Sequence, residues 1–304
     1  MALQPAASRF DERERTLVAE PARRQGWRVS LLARLARRRA AAAGLALLVV
    51  LLASAVFAPR VSPHDPVGIA PQDARVPPGP AYWFGTDQFG RDVFSRVLYG
   101  GRTSLGVGLI AVAIGAIPGT LLGLVAGYRG GRSEAVIMHV MDLLLAFPGI
   151  LLALVIVAAL GPGLAKAMIA VGIASIPRFT RVVHATVLSA KQNLYVEAAR
   201  AIGAGETVVM FRHILPNVFA PLVVLSTLGV GLAILNAAAL SFLGLGAQPP
   251  TPEWGAMVAE TRDYLRAAWW ASTFPGLAIM LAVLAVNLVG DGLRDVLDPR
   301  LRLR

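Results

Sequence analysis

The stretch HILPNVFAPLVVLSTLGVGLAILNAAALSFLGLGAQPPTP, residues 213–252, decides the fold, because none of its forty positions is Asp, Glu, Lys or Arg. Working outward, the runs 40–59, 103–128, 143–165 and 267–290 are equally free of charge over 20, 26, 23 and 24 residues. A bilayer core of about 30 Å is crossed by about 20 apolar residues of helix, so each run is long enough to span it. Soluble domains carry about a quarter charged residues, whereas this chain of 304 residues is 15% charged and 56% hydrophobic. The pattern excludes a soluble enzyme and a disordered tail. It predicts an all-α, polytopic membrane protein.

The first span is expected over 40–58. Ala53-Ser-Ala55 resembles a signal-peptide cleavage site, but the long leader and the long apolar run argue for an uncleaved anchor. Further spans are expected over 103–128, 143–160, 218–243 and 275–290. Between Lys166 and Arg178 only eleven residues are uncharged, and at about 1.5 Å each they cover about half the core. A helix over 164–187 spans if Lys166 snorkels outward and Arg178 and Arg181 inward. That makes six transmembrane helices. Parity supports the sixth, since both tails are rich in arginine and both termini then lie in the cytoplasm. Sorted this way, 21 of the 29 Lys and Arg are inside and 8 outside. The net charge of +11 is therefore an orientation signal rather than a nucleic-acid surface.

The organisation that follows is an Arg-rich cytoplasmic tail (1–39), a first transmembrane helix (40–58) and an external loop (59–101). A five-helix core (102–291) holds a cytoplasmic loop at 188–216, and a cytoplasmic tail (292–304) ends the chain. Residues 9–39 also have the composition of a basic interfacial helix with Trp27 as its anchor.

Gly115, Gly119, Gly123 and Gly127 recur every fourth residue, so they share one helix face on which another backbone can approach closely. Two readings stand: helix packing within the chain, or a pathway or dimer-contact face. Asn236 and Asn287 are the main polar side chains within spans, where helix–helix hydrogen bonding is the plain expectation. Pro118, Pro148, Pro177 and Pro221 free backbone carbonyls and bend their helices. Asp142, Asp291, His139 and His184 fall at cytoplasmic span ends, too shallow for the relay of a proton- or sodium-coupled transporter. The chain has no cysteine, no catalytic or metal-ligand pattern and no phosphate-binding loop. Uphill transport would have to draw its energy from another chain.

The loop between the fourth and fifth spans reads Glu197-Ala-Ala-Arg-Ala-Ile-Gly203, then nine residues, then His213-Ile-Leu215-Pro216. Asn193 can cap a short helix with Leu194, Ala198 and Ile202 on one face. Gly203 supplies a left-handed stop, and a second helix runs from Glu206 to Leu215. Such a helix–turn–helix suits docking in a groove on another protein; a merely amphipathic loop is the plainer alternative.

This pattern resembles the coupling motif of permease subunits in binding-protein-dependent ABC importers, with His213 where isoleucine is commoner. Further residues carry the resemblance toward the dipeptide/oligopeptide/nickel subgroup. They are Phe84-Gly-Thr-Asp-Gln-Phe-Gly-Arg-Asp-Val-Phe-Ser-Arg96, Leu240-Ser-Phe-Leu-Gly-Leu-Gly246, Gln248-Pro-Pro-Thr-Pro-Glu-Trp-Gly255, and Asn287-Leu-Val-Gly-Asp-Gly-Leu-Arg-Asp295 through Asp298-Pro-Arg-Leu301. Together they cover residues 40–304 and are similar to the second, C-type permease of a dipeptide-class importer.

The resemblance implies a type I-like permease bundle in a bacterial-type inner membrane, forming half of a translocation pathway for peptides. It implies a second permease as heterodimer partner, two cytoplasmic ATPase subunits that use ATP and Mg, and an external solute-binding protein. The chain itself would bind no cofactor and no nucleic acid. Glu197, Ala198, Ala199, Arg200, Gly203, His213, Leu215 and Pro216 would couple it to the ATPase. A nickel chelate or another small solute is the alternative cargo, and a self-contained secondary transporter the alternative mechanism. The 244–273 loop would face the binding protein, although Trp254, Trp269 and Trp270 can equally be belt anchors at the membrane surface. The 84–96 motif can be an interfacial segment steadying the second span.

Overall fold

The computed structural model describes residues 35–36 and 38–297. Most of the arginine-rich tail, residues 1–34 and 37, with its interfacial-helix reading, and Arg300, Arg302 and Arg304, lie outside them. Among the described residues the chain is helical, with one isolated β-bridge between Thr86 and Asp92. The main helices are α1 (Arg39–Val56), α2 (Val93–Arg129), α3 (Gly131–Leu145), α4 (Gly149–Leu160) and α5 (Leu164–Lys191). They continue as α6 (Leu194–Ala201), α7 (Leu215–Phe242), α8 (Trp254–Thr261) and α9 (Trp269–Leu297).

Four helical stretches are long and apolar enough to cross a membrane: α1, α2, the continuous run Glu206–Phe242, and α9. A fifth crossing arises only if the bent pair α3 and α4 counts as one span. Two expectations change here. The span expected over 143–160 is two helices meeting at 91°. Pro148 has no amide hydrogen and disfavours helical geometry at Phe147, so the chain breaks at 146–148. The span expected over 164–187 does form one helix of 28 residues, about 42 Å long at 1.5 Å per residue, but its charges keep it below the apolarity of the other four.

Other boundaries move for local reasons. α2 starts ten residues before the expected 103, because Asp92 caps it by accepting the Ser95 amide at 2.9 Å. The helix expected from Glu206 to Leu215 is not a separate piece. It runs through a π-helical turn at Val209–Ile214 straight into α7. The turn sits next to Pro216, whose missing donor interrupts the regular ladder. There Asn217 Nδ2 donates to the carbonyl of His213 at 2.8 Å.

The bundle is held together by close backbone approach. α2 and α5 pack most intimately, through the glycine face described below. α1 lies on α9 where Gly44 faces Leu288 and Gly292 faces Ala41; a methyl group added at either glycine would sit within 2.5 Å of those side chains. An ion pair between Arg38 and Asp295 closes the same contact. Residues 57–92 and 243–268 gather at one end of the bundle, the loop end, and α6 lies at the opposite end.

Candidate functional site

At the end opposite the loops, α6 packs one side inward and leaves the other bare. Val196 and Ala199 are buried with Val209, Met210 and Ile214 against Val183 and Val187 of α5 and Leu124 and Tyr128 of α2. Full burial of a valine side chain contributes about 1.5–3 kcal/mol, so this seat is firm. Asn217 at the start of α7 donates to the Tyr195 hydroxyl at 2.9 Å. Arg200 lies 5.2 Å from the Tyr128 ring centroid, within cation–π range.

The outward side of α6 carries the three residues expected to share a face. Leu194 is 81% exposed and Ile202 86% exposed, with Ala198 between them also exposed. Glu197, Arg200, Gly203 and Pro216 are exposed too, while His213 and Leu215 are half-buried. Ala199 is buried, so its small size serves packing inside the chain rather than close approach by a partner. Asn193 occupies the N-cap position without capping α6; its side chain donates instead to Ala190 at the end of α5.

Gly203 ends α6 at φ +82°. Its amide donates to Arg200 and the Ala204 amide to Ala199, at 2.9 and 3.0 Å. This doubly hydrogen-bonded left-handed stop is disfavoured for residues with a Cβ. A side chain at 203 would meet no atom within 4 Å, so the glycine is required by backbone conformation and not by crowding.

Within the bundle, the four evenly spaced glycines of α2, Gly115, Gly119, Gly123 and Gly127, all face α5. A methyl group added at Gly115 would lie 1.8 Å from Ser175 Oγ, at Gly119 2.6 Å from Phe179 Cβ, at Gly123 2.6 Å from the Thr180 carbonyl, and at Gly127 2.8 Å from Val187 Cβ. Of the two readings for this face, the structure realises helix packing within the chain. Asn236 instead lines a cleft with Leu145, Gly149, Ser175, Arg178 and Leu225. Arg178 lines the same cleft, while Arg181, one turn on, pairs with Asp142 at 2.5 Å. His184 meets Glu134 at 2.7 Å. Among the described residues no cluster of metal-ligating side chains occurs.

The loop end is tied by charges that the sequence pattern did not single out as a group. Arg91 donates to Asp87 at 2.6 Å and also pairs with Glu260. Arg96, buried to 1% exposure, lies 3.8 Å from Asp87 and 3.6 Å from Glu260, and donates to the Pro66 carbonyl. Glu253 caps α8 through the amides of Gly255 and Ala256 and accepts from Ser104 of α2. Nearby, the hydrogen bond that Tyr82 donates to Asp73 at 2.9 Å raises its phenol above the ordinary value, with burial adding a smaller push.

Two of the expected belt tryptophans belong to this core. Trp254 is 2% and Trp270 6% exposed, and their indoles donate to the carbonyls of Val97 and Thr86. Indole nitrogens buried this way need such partners. Only Trp269, 53% exposed, keeps the exposure a surface anchor needs. The 84–96 motif thus clamps the loops onto the start of α2. Its alternation of Asp and Arg over residues 87–96 was the one available signal.

A family model described as binding-protein-dependent transport system inner membrane component matches residues 119–303. A second, described as the N-terminal TM domain of oligopeptide transport permease C, matches residues 24–78. The di/tripeptide transport system permease protein DppC of Pseudomonas aeruginosa is 49% identical over 273 residues, covering 88% of this chain and 90% of the relative. The glutathione transport system permease protein GsiD of Pectobacterium atrosepticum is 49% identical over 265 residues, covering 86% and 87%. The probable D,D-dipeptide transport system permease protein DdpC of Escherichia coli is 46% identical over 254 residues, covering 84% and 85%.

Proposed function

The chain belongs to the binding-protein-dependent transport system inner membrane components, as a C-type permease subunit, and we propose from this that it forms half of an import pathway for short peptides. Peptides are favoured over nickel chelates because several relatives are named for di- or tripeptide transport. It is a transport subunit rather than an enzyme, and ATP with Mg is used by separate ATPase chains. The partners are a second permease, two such ATPases and an external binding protein, in a bacterial inner membrane. In this reading α5 is a sixth crossing, α3 with α4 a bent one, and both termini lie in the cytoplasm. Residues 59–101 then face outward, and 188–216 face the ATPase.

One observation carries the reading. α6 is rigidly seated through Val196 and Ala199, yet it presents Leu194 and Ile202 almost fully bare. A helix held by α2, α5 and α7 cannot shift without moving their ends, and a bare apolar face is what a groove on another protein can grip. ATP-bound and ATP-free ATPase must hold that face differently, since only a difference in contact free energy shifts the two states of the bundle. Glu197 and Arg200 flank the grip with charge, and the stop at Gly203 sets the exit of the chain.

Gly203→Asp is the test. It strains the left-handed stop and puts a charge beside the grip, so peptide-stimulated ATPase activity of the reconstituted complex should fall at least tenfold while the subunit still inserts. Uptake persisting in vesicles that lack every ATPase chain would defeat the reading.

A further inference from the structure

The cleft beside Asn236 holds a charge that the packing of the bundle does not explain. Arg178 is the fifteenth of the 28 residues of α5, twelve residues from Lys166 and thirteen from Lys191, or about 18–20 Å from each along the axis. Its guanidinium therefore sits near mid-helix, where an arginine in a spanning helix is retained only if it meets a counter-charge or a watered cavity. Among the described residues it has no ion-pair partner, whereas Arg181 has Asp142 and Arg38 has Asp295. Residues of α2, α3, α4, α5 and α7 line an open cleft there, with a volume of about 190 Å³.

The walls are apolar apart from three side chains. Leu145, Gly149, Leu225 and Leu232 contribute to them, and Ser175, Arg178 and Asn236 supply the polar groups. The Ser175 hydroxyl is already engaged with the Gly172 carbonyl at 2.7 Å. What is left is one forked, permanently charged donor, Arg178, itself exposed, and one amide between apolar walls. A guanidinium grips a carboxylate with two parallel hydrogen bonds.

Building on the peptide reading above, we propose that this cleft is the chain's share of the substrate pathway and that Arg178 receives the terminal carboxylate of the peptide in transit. Short peptides differ in every side chain but share that carboxylate. A site with one carboxylate clamp and apolar walls accepts the class without selecting a sequence. Asn236 faces the same space and can donate to a peptide carbonyl, while Gly149 and Gly229 leave room for variable side chains.

The test uses the assembled importer in nanodiscs without its binding protein, with alanyl-phenylalanine and its C-terminal amide as probes. The wild type should bind the free acid at least tenfold more tightly than the amide. In Arg178→Ala the two affinities should converge, and Arg178→Lys should recover part of the difference. Uptake of alanyl-phenylalanine into proteoliposomes, per assembled complex, should fall at least tenfold in Arg178→Ala. Equal binding of acid and amide by the wild type would overturn the proposal without need of any variant. So would loss of assembly in Arg178→Ala that lysine restores while the wild type ignores the peptide terminus; that result assigns Arg178 to an ion pair with the second permease. Wild-type uptake with an indifferent Arg178→Ala defeats only this inference. A wild type that carries another solute but no peptide defeats the peptide reading itself.

Discussion

The two ends of the bundle treat polar and apolar surface in opposite ways. At the loop end, Arg91, Arg96, Asp87 and Glu260 are withdrawn from water and neutralise one another, and Trp254 and Trp270 are buried with their indoles satisfied. Away from the loop end the ion pair between Arg181 and Asp142 is about half exposed, and at the opposite end Leu194 and Ile202 project from α6, almost fully exposed. The first end pairs its charges within the chain. The second leaves apolar surface open. In the proposed reading this asymmetry has a use: the loops stay fixed to the helices they cap, while the coupling surface remains free to be gripped.

The comparison can be broken most sharply at Arg91. Arg91→Met leaves Asp87 and Glu260 without their nearest cation, and losing one member of a buried pair costs about 3–5 kcal/mol. Thermal unfolding in detergent should drop accordingly, and proteases should begin to cut residues 59–101. An unaltered melting temperature would mean that the loop end is not held by its charges.

The double variant Leu194→Ser, Ile202→Ser should do the reverse. Both side chains are exposed, so the melting temperature should hardly move, as for surface changes of within about 0.5 kcal/mol. Capture of the ATPase subunits should weaken at least tenfold, about 1.4 kcal/mol or more. A large loss of stability would show that the face is packed within the chain after all.

The smallest effect is expected at Asp142→Asn. An ion pair half open to solvent is worth about 1 kcal/mol or less, so the melting temperature should shift by far less than in Arg91→Met. A shift of similar size would erase the contrast between the ends.

Much of this was legible in the chain before any coordinates. Charge-free runs marked α1, α2, α7 and α9, because a missing charge is a local property that does not depend on neighbours. The short helix ending at Gly203 was legible for a similar reason: periodicity and a left-handed stop are settled within a few residues, although the expected cap, Asn193, bonds to Ala190 instead. The break at Pro148 was harder to read. Proline at that depth is compatible with a bend or with a severed span, and packing against α5 determines which. Trp254 and Trp270 misled because an indole near a membrane surface has two stable uses, and only the partner carbonyls of Val97 and Thr86 separate them. Ala199 misled similarly, since its neighbour Ala198 faces the other way on the same short helix.

By itself the sequence determined that the chain is a membrane helix bundle, that four of its runs are apolar enough to cross a membrane, and that a short helix with a left-handed stop stands between α5 and α7. Hydrophobicity, periodicity and turn chemistry act over a few residues and need no fold to express them. The tertiary structure alone decided that Gly115, Gly119, Gly123 and Gly127 serve α5, that distant charges around residues 87–96 and 253–260 close one end, and that Arg178 faces an open cleft at mid-helix. Those facts depend on pairs of residues far apart in the chain, and one-dimensional patterns carry no distance between them.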